Sequence, residues 1–363
     1  MENDIEDSLQ MPPDAPTRVA HATKATIAAR LNLSRATVTG VLNGRAAELR
    51  ISEATQQRVL ELARELGYRP NLAARAVRTG RYGNIALIQS ELGQYLPPQL
   101  LSGVAHAIAD KDMHLVVIQV PDVAIEEETF LPHTVHELSV DGVLINRHRG
   151  FSSTLLDRIH ALRIPAIFLN VKRDVDCVYP DDRLGAQLAT EYLLNLGHKR
   201  ITYVDTEFSG KTHYSKPDRQ AGYEQAMSAG GRPSAVHLLP RSWLGSEATG
   251  EDQRVHSARQ LLQRKDRPTA ILAYELGESM AVVHAAFSLG IRIPQDLSII
   301  HFHHQVDERY FIPMHTVSNV MREVGSAAIS MLMEKIENPE RVLPARIIPE
   351  ELLEGASCMP PPA

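Results

Sequence analysis

Arg35, Ala36, Thr39, Gly40 and Asn43 are spaced so that they share one face of a short helix. Guanidinium, methyl, hydroxyl and amide groups presented together can reach phosphates and base edges in a DNA major groove. Ser34, just before them, has the hydroxyl that caps a helix by accepting a first-turn backbone N–H. A second kind of chemistry collects far down the chain. In His301-Phe302-His303-His304, an extended backbone puts His301 and His303 on one side, and imidazoles bind zinc. No cysteine or carboxylate pair adjoins them, so no metal is assigned. Arg147-His148-Arg149 follows directly on an apolar run and adds positive potential to whatever cleft lies there. Cys177 and Cys358 have no metal-type spacing and read as reduced thiols. With no phosphate-binding glycine loop, nucleophile elbow or metalloprotease helix, the sequence points away from an enzyme and implies no cofactor.

The elements that must position these groups follow from periodicity. Ile27, Ala28 and Leu31 line one face of a first helix, and Val38, Val41 and Leu42 line a second after the break at Asn32, the pattern of a helix-turn-helix. After a loop from Gly44 to Arg50, Ser52 caps a third helix carrying Val59, Leu62, Ala63 and Leu66, stopped by Gly67. Pro70 then breaks the chain, and Asn71 can cap a two-turn helix over 72–78 with Arg75, Arg78 and Arg81 on one side. So short a helix has order only in a suitable environment, which makes residues 69–82 a basic hinge. From Asn84 the period changes. NIALIQ, HLVVIQ, DGVLIN and PAIFLN, then RITYVD, AVHLLP, TAILAY and LSIIHF, are continuously apolar runs separated by helix-length segments. They predict two doubly wound α/β lobes over 83–363, with ligands expected beyond the carboxyl ends of the strands.

The 363 residues carry a net charge of −6 that is unevenly spread. Residues 1–17 hold five acids and no Lys or Arg, residues 18–81 carry +8, and the remainder carries −9. A small basic module fits a binder of the phosphate backbone, and the acidic remainder argues against nonspecific adhesion of the whole chain to nucleic acid. The first 20 residues, acidic and proline-rich, are expected to be disordered. No apolar run approaches the ~18 residues a membrane span needs, and the N-terminus lacks a secretion pattern, so the expected location is cytoplasmic.

SRATVTGVLNG (34–44), ELGYRPNLAARAVRTGR (65–81), DDRLGAQLATEYLLNLGHKRI (181–201), RQAGYEQAM (219–227) and GIRIPQDLSIIHF (290–302) resemble, in order, signatures of the LacI/GalR family of transcriptional repressors. The likeness runs from about Thr23 to about Leu353. It implies a homodimer whose headpieces (21–68) bind a near-palindromic operator, joined by the hinge to a core similar to periplasmic sugar-binding proteins that takes a small-molecule effector. The rival reading is a solute-binding protein of periplasmic type with no role on DNA. The tail EGASCMPPPA has no heptad pattern that would join dimers further.

On the resemblance, the DNA-facing residues are Ser34, Arg35, Ala36, Thr37, Thr39, Gly40, Asn43, Arg75, Val77 and Arg78. Gly40 stands where the family usually has an arginine able to hold guanine, and Val77 where it usually has a leucine that wedges into the minor groove. The effector-facing residues are Arg147, Asn170, Arg219, Trp243, Tyr274, Glu275 and His303. Tyr274-Glu275 replaces a usual Asn-Asp pair, and His303 and His304 replace two aspartates. Exchanging obligate acceptors for imidazoles that can donate predicts an altered ligand, a sugar-like molecule that is acidic or phosphorylated, with Arg219 supplying much of its binding.

Overall fold

The structure, a computed structural model, describes residues 22–68, 80–90, 97–109, 111, 113–120, 130, 137, 139–146, 153–207, 212–241, 253–303, 312–318 and 320–362. The acidic tail, the helix expected over 72–78 with Arg75, Val77 and Arg78, the Arg147–Arg149 run, Trp243 and His304 all lie outside these residues. Contacts divide the chain into two units at Gly80/Arg81.

In the first unit, α1 (Lys24–Leu31), α2 (Arg35–Leu42) and α3 (Glu53–Glu65) are started by one repeated device. Thr23, Ser34 and Ser52 each accept the backbone N–H three residues on, from Thr26, Thr37 and Thr55 at 3.1, 3.0 and 3.4 Å. Each cap satisfies one of the donors a helix start leaves unpaired. Asn32 ends α1 in the left-handed conformation, φ 52°, which turns the chain into α2. Ile27, Ala28, Val38, Val41, Ala46, Val59 and Ala63 close the core, so all three helices and the loop after α2 contribute.

The second unit holds two six-stranded sheets. β1 (Asn84–Ser90), β2 (His114–Val120), β3 (Gly142–Asn146), β4 (Ala166–Leu169), β5 (Cys177–Pro180) and β11 (Arg346–Ile348) form one, in the order β11-β5-β4-β3-β1-β2, all parallel. β6 (Ile201–Thr206), β7 (Val236–Leu239), β8 (Ala270–Ala273), β9 (Ser298–His303), β10 (His315–Ser318) and β12 (Glu351–Leu353) form the other, in the order β12-β10-β9-β8-β6-β7. There only β12 runs antiparallel, against β10. All eight apolar runs named above are strands.

The inner strands β1, β3, β4, β6, β8 and β9 are apolar on both faces because helices cover both. In the first lobe, Ile85, Leu87 and Leu144 pack under α4 (Pro98–Ala109) and α10 (Met321–Glu337), while Ala86, Ile88 and Val143 pack against Ile159 of α5 (Ser153–Ala161). In the second, Tyr203, Leu272 and Ile300 face α6 (Asp182–Asn195) and α7 (Ser215–Ala229). Val204, Ile271 and Ile299 face α8 (Gln253–Gln263) and α9 (Leu276–Ser288). The chain passes between lobes three times, from β5 to α6, from β10 to α10 and from β11 to β12. Those passages run through Asp181, Val320 and Glu350.

Candidate functional site

On the headpiece, α2 presents Arg35, Ala36 and Asn43 to solvent, with Thr37 and Thr39 half-buried. Ser34 is exposed, but its hydroxyl is committed to capping α2 and lies 2.8 Å from that of Thr37. Gly40 departs from the expected exposed face. It is buried, because Leu49 from the loop after α2 lies across it. The helical period alone puts position 40 outside, and the covering residue comes from a segment with no period to read.

In the core, polar groups at the carboxyl ends of β4, β6 and β8 are linked through the start of α7. Asn170 follows β4 in the left-handed conformation, φ 53°. Its side-chain oxygen accepts from the Tyr214 hydroxyl at 3.1 Å, and its carbonyl accepts from His213 Nε2 at 2.8 Å. His213 Nδ1 is then an acceptor, 2.8 Å from Ser215 Oγ. Lys172 Nζ donates to Asp218 at 2.5 Å. These contacts link the first lobe to the start of α7 in the second.

Within the second lobe, Lys216 Nζ donates to Asp205 Oδ1 and, at 3.0 Å, to the Thr206 carbonyl, and sits 4.5 Å from the Tyr274 ring centre. Thr206 Oγ1 donates to Glu278 Oε1 at 2.5 Å, and the Tyr274 hydroxyl is 2.8 Å from Ser215 Oγ. Glu275, at the start of α9, makes no side-chain cap and keeps 55% of its side chain exposed. His303 ends β9 and is half-buried. Asp205, Thr206, Lys216 and Glu278 were not singled out from sequence. Asp205 could have been, as the last residue of RITYVD at the carboxyl end of a strand.

Arg219 lies deeper than a cleft-lining position alone suggests. Its side chain is only 5% exposed. Nε donates to Asp182 Oδ1 at 2.6 Å, Nη1 donates to the Tyr274 carbonyl at 2.6 Å, and the guanidinium lies 3.8 Å from the Phe302 ring centre. Its charge is thus already paired within the protein before any ligand is present. It positions Tyr274 and, 3.9 Å away, Glu275.

Glu350 is the unusual member of this neighbourhood. It is 2% exposed, and neither carboxyl oxygen has a hydrogen-bond partner. It lies so close to Gly185 of α6 that a side chain there would strike Oε2. Burial, reinforced by the negative charge of Asp182, pushes its carboxyl well above the usual carboxylate range, against the pull of Arg219. A raised folded-state value means its contribution to stability is complete below the unfolded value near 4.5 and is lost as pH rises through the folded value. Glu350→Gln removes that penalty. Thermal melts are expected to show the variant matching wild type near pH 4.5 and exceeding it increasingly towards pH 8, by ~1.4 kcal/mol for each unit of the shift. Parallel curves for the two proteins would contradict this.

His301 and His303 share one side of β9, with ring centres 5.7 Å apart. His301 is buried, its Nδ1 is 2.8 Å from Ser279 Oγ, and burial pushes its pKa down to about 3. It is a neutral, hydrogen-bonded core residue. Among the described residues no group of three metal-binding side chains gathers. Among them, too, no helix is long and apolar enough to cross a membrane.

Residues 18–71 match the family model described as bacterial regulatory proteins, lacI family, and residues 190–358 match that of the periplasmic binding protein-like domain. Relatives include HTH-type transcriptional regulator RegA of Clostridium saccharobutylicum, 26% identical over 91% of this chain and 97% of that protein. HTH-type transcriptional regulator DegA of Bacillus subtilis is 27% identical over 92% and 97%. The lac repressor dimer bound to operator and the anti-inducer ONPF shares the fold, with a TM-score of 0.73, 20% identity and coverage of 93% of this chain and 99% of that one. A DNA-binding headpiece followed by a two-lobed binding-protein core defines a class of transcriptional regulator rather than an enzyme. The chain carries a headpiece matching the lacI family and is similar along most of its length to regulators of that class.

Proposed function

We propose that this regulator is a ligand-responsive repressor acting in the cytoplasm. It binds a near-palindromic operator as a homodimer, through headpiece residues 21–68 and a hinge over 69–82, and its affinity for operator is set by a small effector in the cleft of residues 83–363. Symmetry supports the operator form, since two identical headpieces read inverted half-sites. The solved lac repressor is such a dimer on operator. We assign Arg35, Ala36, Thr39 and Asn43 to DNA contact, with Arg75, Val77 and Arg78 in the hinge.

The observation that carries the effector reading is the pairing of charges in the cleft. Lys172, Lys216 and Arg219, beside the strand ends, are each held by a carboxylate, whereas Glu275, 3.9 Å from the already paired Arg219, keeps 55% of its side chain exposed. That favours a neutral, hydroxyl-rich, sugar-like effector whose hydroxyls donate to Glu275, with Asn170, Tyr274 and His303 around it and Trp243 against a ring face. An acidic or phosphorylated effector would draw its cations from Arg147 and Arg149 instead.

Calorimetry separates the two. After a thermal-shift screen of sugars, sugar acids and sugar phosphates, Glu275→Gln is expected to weaken a neutral sugar most above pH 7, by up to ~1.5–3 kcal/mol, the worth of a hydrogen bond to a charged group, because burial raises the Glu275 carboxyl to about 7. Binding confined to the acid or phosphate form and undiminished in the variant would overturn the neutral reading.

A further inference from the structure

The burial of Gly40 has a constructive side. Leu49 is 50% exposed, a large apolar side chain set on the face of the headpiece that carries Arg35 and Asn43. It is held there by backbone. Arg45 N–H donates to the Gly40 carbonyl at 2.8 Å, Leu49 N–H to the Arg45 carbonyl at 3.1 Å, and Ile51 N–H to the Ala46 carbonyl at 2.9 Å. Ala46 is itself buried in the headpiece core. The loop after α2 is thus clamped to the helix, and Leu49 is aimed across the position with no side chain.

Between this loop and α2 runs a groove of about 300 Å³. Ala36, Thr39, Gly40 and Leu49 make its apolar floor and wall, and Arg35 and Arg45 stand on its rim. The acid beside the groove, Glu48, is already paired with Arg45 at 2.7 Å. A cationic rim around an apolar floor fits a nucleic acid that brings phosphates to the edge and an apolar group to the centre. In the major groove, the apolar group carried by a base edge is the C5-methyl of thymine.

We infer that Leu49, seated over Gly40 with half of its side chain exposed to the groove beside Ala36 and Thr39, forms a subsite for the C5-methyl of one thymine in each operator half-site. Discrimination at that base pair is then apolar and comes from a loop residue lying over the recognition helix, in place of a side chain at position 40. The inference rests on the operator-binding reading above and specifies the base chemistry it uses. A residue with a Cβ at position 40 would strike Leu49 Cδ1 and approach Ile51 Cδ1 to 3.2 Å, so a side chain there must displace Leu49 and abolish the subsite.

The test uses the full chain and an operator selected from a randomised duplex pool. Each thymine is then replaced singly by deoxyuridine, which lacks only the methyl. One position per half-site is expected to weaken binding about fourfold, the equivalent of ~0.8 kcal/mol for a buried methyl-sized group. Leu49→Ala, a change at a half-exposed site that leaves the core intact, is expected to bind the thymine operator more weakly and to be indifferent to deoxyuridine there. Gly40→Arg is expected to select guanine at the same position, by about tenfold or more. Tight operator binding with no deoxyuridine-sensitive position, or a sensitivity that persists in Leu49→Ala, would overturn the inference while leaving operator binding in place. Enrichment of no sequence from the pool would overturn the operator-binding reading itself, and the inference with it.

Discussion

Arg219→Ala is expected to destabilise the core by ~3–5 kcal/mol in the absence of any ligand, the usual cost of removing one partner from a buried ion pair. The variant leaves Asp182, 1% exposed, without its guanidinium, and leaves Glu350 beside it with no cation close by. It also strips the Tyr274 carbonyl of its donor. Both carboxyls would then be held protonated, because burial already raises them and the opposing charge is gone. Chemical denaturation of the unliganded protein at neutral pH checks this. A variant as stable as wild type, with only ligand binding lost, would return Arg219 to the role of direct effector contact. Arg219→Lys is expected to recover little, since one ammonium cannot reproduce donation from two nitrogens and stacking on Phe302.

The second large effect is on DNA. Residues 18–81 carry +8 in a chain whose net charge is −6. Each phosphate neutralised contributes ~0.9 to the log–log salt slope, and a dimer making ~6–10 such contacts loses ~10³–10⁵ in affinity between about 50 and 200 mM salt. Arg78→Ala is expected to flatten the slope by ~0.9 per subunit. Operator affinity independent of salt over that range would remove the electrostatic basis of the headpiece reading.

These two predictions come from residues of very different legibility. The eight apolar runs can be read as strands because a parallel strand buried on both faces leaves a continuous apolar signature, and the headpiece helices because each has a hydroxyl cap and an apolar period. β5, β10, β11 and β12 adjoin the passages between lobes and lie in no longer continuously apolar run of the kind that marks the equally short β4, β7 and β8. Gly40 was read as exposed because a helical wheel has no knowledge of Leu49. Arg219 was read as a cation near the cleft. What decides its role is Asp182, 37 residues earlier on a different helix, and a buried neighbour contributed by the last passage between lobes, Glu350. Lys216 and Asp205 show the same limit, since charge pairing depends on which strand end meets which helix start. Local pattern thus records where the elements are, whereas charge compensation is settled by tertiary contact, and it is on charge compensation that our proposal of a neutral effector rests.

On the proposed function, one molecule in the core changes affinity for DNA through the hinge. A ligand shifts that affinity only by its differential affinity for the two states of the protein, so a 100-fold response requires ~2.7 kcal/mol of coupling. The direct measurement is fluorescence anisotropy of the selected operator titrated with the full chain, with and without a saturating amount of the compound that gives the largest thermal shift. A change in operator affinity of about tenfold or more, lost in Glu275→Gln at the same ligand concentration, is the predicted result. Operator affinity that stays the same when the cleft is saturated would contradict the account.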